Sequence, residues 1–303
     1  MPRNDCPLCA GNTEAAGLGP AAFDLRRCIV CHVVYLPAQD MTGHALESQE
    51  QFFRNMDHGP WQRFLDVMNA SLVLRRLRKY KSSGRLLEVG IGNGNFLRTA
   101  QASGYDCMGV EASESLAWSF SRQNSIPVFP GYLDDFARKM SSERFDVLVM
   151  NHVLEHIPDP LAALRQLCGL LQDGGIIHIA VPNVDAWEAR LKGWSAFEPY
   201  HLYYFNPGTL SNLVRQAGLN IRRIRTAERF SGWTNALART LLQREYQQMR
   251  LSGARTAPSF QQQLALAGLD VARVAMGAVT LPLRYVQSQV NRGEELIAIL
   301  EHP

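Results

Sequence analysis

The chain has 303 residues, 46% of them hydrophobic, and a formal net charge of +3. That length suits one large α/β domain with an appendage, or two domains, and the composition is that of a folded globular protein. The charge is too small to argue for nucleic acid by itself, and the opening residues Met1 to Cys6 lack the apolar core of a secretory signal. The clearest apolar run near the end, Val274 to Leu283, is ten residues long, where a bilayer span takes about 20. The expectation is a cytoplasmic protein without a transmembrane segment.

The first 38 residues read as a separate module. Cys6 and Cys9, then Cys28 and Cys31 after an 18-residue gap, have the spacing of a zinc ribbon, where two turns supply four thiolates to one tetrahedral Zn2+. So short a segment cannot bury a sufficient core, so the metal would supply folding energy. The alternative, a pair of disulfides, suits secreted chains better. Four cysteines leave no open coordination position, so the zinc is read as structural. Residues 39–81 follow as linker and cap. They include Phe52, Phe53 and His58, then a helix over Trp61 to Lys81 with Phe64, Leu65, Met68, Leu72 and Leu77 at helical spacing.

From Arg85 onward strands and helices alternate, which argues for a parallel sheet. The first strand, Arg85–Val89, runs into Gly90-Ile91-Gly92-Asn93-Gly94 and a helix closed by Gly104. A second strand ends at Glu111, a third lies near Pro127–Phe129, and a fourth is Phe145–Met150. Asp159-Pro160 reads as an N-cap followed by proline at the first helical position. Asp173-Gly174-Gly175 is read as the turn into a fifth strand, Ile176–Val181. An aromatic stretch over 184–206 precedes a helix capped at Asn206-Pro207 and a sixth strand, Leu219–Arg225. An insertion at about 235–290 reads as two or three helices, near 235–250 and 259–290. Glu294–Glu301 reads as the last strand. Residues 82–303 are therefore expected to form one α/β domain carrying this insertion.

A glycine-rich turn between strand and helix cradles nucleotide-like ligands. A dinucleotide site has a third glycine at the sixth position, to admit a pyrophosphate, and here that position is Asn95. Glu88, just before the turn, would repel pyrophosphate but suits a ligand carrying an amine and a sulfonium. Glu111 stands 21 residues after Gly90 at the end of the second strand, where a carboxylate can accept from both ribose hydroxyls. These residues favour S-adenosylmethionine over a nicotinamide cofactor.

Glu88–Gly94, Gly109-Val110-Glu111, the run Phe145–Pro160 and Asp173-Gly174-Gly175 with Val181-Pro182-Asn183 resemble class I S-adenosylmethionine-dependent methyltransferases. The likeness is strongest to a subgroup with an N-terminal four-cysteine zinc module, which includes bacterial sugar C-methyltransferases and enzymes of surface-polysaccharide clusters. It covers about 80–225, the final strand and the cysteine module. It implies a Rossmann-like, mostly parallel seven-stranded sheet with helices on both faces, whose last strand inserts beside the sixth. It also implies roles by position. Glu88, Gly90, Gly92 and Gly94 would line the methionine part of the cofactor, and Asn93 between them would also be cofactor-binding. Glu111 would hold the ribose, with Ala112 against the adenine and Tyr132 and Leu133 at the adenine edge. Asn151 and His152 would lie beside the cofactor and face the substrate.

A sulfonium already activates the methyl group, so the enzyme mainly aligns a nucleophile in line with it. An oxygen or carbon nucleophile must also lose a proton, which calls for a base. His152, Glu155, His156, Tyr200 and His201 are candidates, with His152, His201 and Glu155 as the catalytic set. Glu155 and His156 read equally as a structural hydrogen-bonding pair, and His201 as a core histidine. Quinone O-methyltransferases show a similar Leu-Glu-His stretch that can bind a divalent cation. They carry a carboxylate where His152 stands, so a catalytic metal is not expected here. The acceptor is expected to be a small molecule or sugar. A ribosomal-RNA methyltransferase gripping RNA through the zinc module is a second reading, and a non-enzymatic zinc-ribbon binding protein a third. The apolar stripe of the insertion is read as core, with dimer or peripheral membrane contact as alternatives.

Overall fold

The computed structural model describes residues 5–20, 23–37, 60–198, 200–228, 232–241, 275 and 277–303. The aromatic residues Phe52 and Phe53, and the insertion helices over 242–274, lie outside this range. The chain divides into two compact units. One comprises 1–37, 182–207 and 225–296, the other 38–181, 208–224 and 297–303.

The larger unit is built on a seven-stranded sheet. In chain order its elements are helix α1 (Pro60–Leu77), β4 (Gly84–Val89), α2 (Asn95–Ala102), β5 (Tyr105–Glu111), α3 (Glu114–Asn124), β6 (Val128–Pro130), α4 (Leu133–Lys139), β7 (Phe145–Asn151), α5 (Pro160–Leu170), β8 (Leu171–Pro182), α6 (Pro207–Gln216), β10 (Asn220–Ala227) and β11 (Glu295–Glu301). The strand order is β10-β11-β8-β7-β4-β5-β6, so the final strand does insert beside the sixth. The pairs β4–β5, β4–β7, β5–β6 and β7–β8 are parallel. The central strands are apolar on both faces, as a sheet covered on both sides requires. Leu86, Leu87, Val147, Leu148, Val149 and Met150 are all fully buried. Each such side chain contributes roughly 1.5–3 kcal/mol of transfer free energy.

The helix starts are set locally. Ser113 Oγ accepts from the Leu116 amide at 3.4 Å, and Asp159 Oδ1 from the Ala162 amide at 2.9 Å with Pro160 in the first turn. The expected turn at Asp173-Gly174-Gly175 lies inside β8 rather than before it. Leu171 pairs with Phe145 and Ile176 with Val147, so β8 advances five residues while β7 advances two. The turn survives as a bulge, with Gly174 at φ 68 supplying the left-handed residue.

The other unit carries a second, four-stranded sheet in the order β1-β2-β3-β9. Its strands are β1 (Thr13–Ala15), β2 (Arg26–Cys28), β3 (Val34–Tyr35) and β9 (Tyr203–Tyr204). The cysteine segment thus shares a sheet with the aromatic stretch, Val34 facing Tyr204 and Tyr35 facing Tyr203. A core of Leu25, Val34, Val184, Trp194, Phe197 and Tyr204 joins them. Trp194 meets Phe197 edge to face, with centroids 5.1 Å apart. This unit also holds helices α7 (Gly232–Leu241) and α8 (Leu281–Gln289). Among the described residues no helix is long and apolar enough to cross a membrane.

Candidate active site and cysteine cluster

The glycine turn leaves β4 with three left-handed residues, Gly90 at φ 73, Gly92 at 52 and Gly94 at 68. Two of them also admit close neighbours. A Cβ on Gly90 would stand 2.6 Å from Val153 Cγ2, and one on Gly94 only 2.0 Å from Phe120 Cε2. Gly94 is the N-cap of α2 and offers no side-chain cap, and of the first-turn amides that of Asn95 is taken by Asn93 Oδ1.

Glu88 and Asn151 end adjacent strands. Glu88 is buried, and burial pushes its carboxyl well above the usual carboxylate range. The Asn151 amide opposes that shift and the nearby Glu111 charge adds to it. Glu88 Oε2 and Asn151 Oδ1 are buried oxygens without a hydrogen-bond partner among the described residues. Two orphaned acceptors in one place call for a ligand rich in N–H groups. At the end of β5, Glu111 accepts the Ser113 amide at 3.0 Å through Oε1. Tyr132 is the N-cap of α4 and largely exposed, Leu133 beside it is buried, and Ala112 is half-buried.

Asn93 does something its sequence did not reveal. Its Nδ2 donates to Asp66 Oδ2 on α1 at 2.9 Å, and its Oδ1 accepts the Asn95 amide at 3.0 Å. The side chain fastens the glycine turn to α1 and shapes it. Sequence reasoning missed Asp66, because nothing in a helical pattern marks one half-buried carboxylate as the partner of a distant loop.

His152 follows β7 in a left-handed conformation, φ 55, which costs a non-glycine residue roughly 1–2 kcal/mol. Such strain persists only where the surroundings impose it. The His152 amide donates to Ala180 O at 2.8 Å, and its Nδ1 lies 3.3 Å from Oε1 of the fully buried Glu155. Glu155 and His156 sit in the short 3-10 turn after it. His201 belongs to the other unit. It is buried, its ring meets Tyr200 and Tyr204, and its Nδ1 donates to Ala196 O at 2.7 Å.

The four cysteines converge as their spacing implies. All four Sγ atoms lie within 4.8 Å of one another, in a group that could hold a metal ion. Cys6 and Cys31 are 3.6 Å apart, Cys9 and Cys28 3.5 Å, and none is disulfide-bonded. A tetrahedral zinc with bonds of about 2.3 Å would space its sulfurs by about 3.8 Å. The two turns repeat one backbone design. Ala10 and His32, each just past a cysteine pair, are left-handed at φ 55 and 62. Each donates its amide to the first cysteine's carbonyl, Ala10 to Cys6 and His32 to Cys28. Further amides point at sulfur, Leu8 at Cys6 and Val30 at Cys28, at 3.4 and 3.3 Å. Burial pushes the Cys6 thiol up to about 11 and Cys31 higher still. At Cys28 burial acts the same way, but the Cys31 and Val30 amides together with hydrogen bonds from the Cys9 and Cys31 thiols bring the thiol down to about 7.

A family profile described as a methyltransferase domain matches residues 61–224. The chain belongs to the methyltransferase-domain family. The glycine turn, Glu88, Glu111 and the segment after β7 all fall inside the matched domain. A ubiquinone biosynthesis O-methyltransferase of Ruegeria pomeroyi is 29% identical over 154 residues, 45% of this chain and 59% of that protein. A tRNA U34 carboxymethyltransferase of Dichelobacter nodosus is 39% identical over 111 residues, 34% of each chain. The chain therefore spans well under two thirds of the length of either relative. The solved structure of the [4+2]-cyclase SpnF superimposes with a TM-score of 0.52 at 17% identity, covering 86% of this chain and 93% of that one. That likeness concerns the fold, which hosts more than one reaction, so the reaction must be argued from the site.

Proposed function

We propose that this methyltransferase domain uses S-adenosylmethionine to methylate an oxygen or carbon of a small-molecule or sugar acceptor. The observation that carries the reading is the pair of orphaned acceptors, Glu88 Oε2 and Asn151 Oδ1, at the mouth of the glycine turn. The cofactor's ammonium supplies the donors they lack, and its charge would draw the Glu88 carboxyl back toward ionisation. Glu111 suits the ribose hydroxyls, and Ala112, Tyr132 and Leu133 the adenine. When bound, the cofactor supplies an activated methyl on a sulfonium. The chain's part is alignment, exclusion of water and removal of the acceptor's proton.

His152 is our choice of base. Its Nδ1 lies 3.3 Å from Glu155 Oε1, a carboxylate placed to stabilise the imidazolium that forms when the ring takes the acceptor's proton. His201, buried among aromatic rings and donating to Ala196 O, reads as a core histidine. The four cysteines are read as a structural zinc site, since four thiolates at this spacing would fill a tetrahedral ion's coordination sphere.

Calorimetry tests the cofactor reading. S-adenosylmethionine should bind in the micromolar range, and Glu88→Gln should weaken it about 10- to 100-fold, the value of a hydrogen bond to a charged group. Tighter binding of a nicotinamide dinucleotide would overturn the assignment. His152→Ala should slow methyl transfer by about 10²–10⁴ with cofactor affinity unchanged, measured on a panel of phenolic and sugar acceptors. The similarity to a tRNA-modifying enzyme favours an RNA acceptor as the second reading. RNA binding that falls steeply with salt would support it.

A further inference from the structure

The two peptide groups that flank Gly94 are each held at both ends. Between Asn93 and Gly94, the Gly94 amide donates to Ile91 O at 2.8 Å and the Asn93 carbonyl accepts from the Arg98 guanidinium at 3.1 Å. Between Gly94 and Asn95, the Asn95 amide donates to Asn93 Oδ1 at 3.0 Å and the Gly94 carbonyl accepts the Arg98 amide at 3.1 Å. Arg98 therefore holds the turn through its backbone and again through its side chain. The same guanidinium nitrogen also donates to Asn95 Oδ1 at 2.6 Å.

An aromatic ring sets where that guanidinium sits. Arg98 Cζ lies 5.5 Å from the ring centroid of Phe120 on α3, within the range of a cation–π contact. Phe120 is buried, and its ring occupies the space that a side chain on Gly94 would need. One ring thus supports both the turn and the arginine that clasps it.

The turn needs such a clasp. Gly90, Gly92 and Gly94 are all left-handed, and no Cβ confines any of them. A chain this rich in glycine has many conformations of similar energy, and turning one peptide plane is a cheap way to move between them. A cradle that must be ordered as its ligand binds loses affinity to that ordering, and a cradle ordered beforehand does not. Arg98 itself is solvent-exposed and lies one helical turn beyond the glycines, so the glycine pattern does not mark it.

We propose that Arg98 is a positioning residue for the cofactor: its guanidinium pins the Asn93–Gly94 peptide and keeps the turn in its binding shape. The inference rests on the reading of this turn as an S-adenosylmethionine site. Arg98→Met removes every donor, and methionine matches arginine in helix propensity. In the ligand-free variant the Gly94 amide should exchange its hydrogen about 3- to 10-fold faster, the value of one net hydrogen bond, while amides of β4 and β5 keep their protection. Calorimetry should show S-adenosylmethionine bound about 3- to 10-fold more weakly, with the melting temperature within about 3 °C of the parent. Unchanged exchange at Gly94 would overturn the proposal. So would faster exchange throughout the sheet, since the side chain would then serve general stability, or an unchanged affinity beside a loosened turn. A parent chain that binds no S-adenosylmethionine would instead overturn the cofactor reading, and the exchange of Gly94 would still decide whether Arg98 holds the turn.

Discussion

Asp66 and Asn93 show how one hydrogen bond can matter to a whole site. The 2.9 Å bond from Asn93 to Asp66 ties the glycine turn to α1, and the second Asn93 bond, to the Asn95 amide, sets the start of α2. Asp66→Ala should therefore weaken S-adenosylmethionine binding about 3- to 10-fold, the value of one such bond, when measured by calorimetry. Asn93→Ala should weaken it further, and the double variant should resemble Asn93→Ala rather than the sum, because the two share one interaction. Additive losses would show that the bond is incidental. At the same scale the glycines were legible in advance and Asp66 was not. Each glycine answers a local demand for positive φ, whereas Asp66 gains its meaning from a loop 27 residues away.

The elements follow their local signals where those signals act over a few residues. Asp159-Pro160 starts α5 and Ser113 caps α3. The bulge in β8 is subtler. Asp173-Gly174-Gly175 does turn the chain, yet pairing with β7 holds on both sides, so one long strand, Leu171–Pro182, stands where a turn and a shorter strand were expected. The cysteine turns behave as one element despite their separation. Their repeated left-handed residues and amide–sulfur contacts shape two halves of one site. Metal analysis should find one zinc per chain. Removing it with a strong chelator should melt the sheet that β1, β2 and β3 form, followed by loss of hydrogen-exchange protection there. A protein free of zinc, with Cys6 and Cys9 oxidised to each other, would overturn the reading.

At the scale of the whole molecule, the unit holding the cysteines depends on buried acids. Burial first, then the neighbouring Glu188 charge and a hydrogen bond to it, hold Glu228 up at about 9, and burial raises Glu188 as well. Glu228 Oε1 accepts the Glu294 amide at 2.8 Å, and Ser195 Oγ donates to Glu294 Oε1 at 2.8 Å. The folded chain keeps a proton that the unfolded chain releases above its ordinary value of 4.5. The stability this proton supplies is fully present below about pH 4.5 and is lost progressively as pH rises toward about 9. Calorimetry should show the melting temperature falling between pH 6 and 9, and Glu228→Gln should flatten that fall. A slope unchanged in the variant would remove Glu228 as its cause.

The sequence by itself determined the repeating strand–helix pattern, the glycine turn with its flanking carboxylates, the helix caps and the convergence of four cysteines. Each of these is encoded by residues near one another or by a regular spacing. Tertiary structure decided the rest. It paired β3 with β9, buried Arg284 and Gln287 of α8 and gathered three glutamates from segments about 40 to 66 residues apart in the chain. It also brought the Glu88 and Asn151 side chains together at the ends of neighbouring strands. Burial and partnership are properties of where a side chain ends up, and hydrophobic patterning cannot anticipate a buried polar network. The glycine turn is therefore readable as a cofactor cradle from sequence, while what fastens and completes that cradle is visible only in the fold.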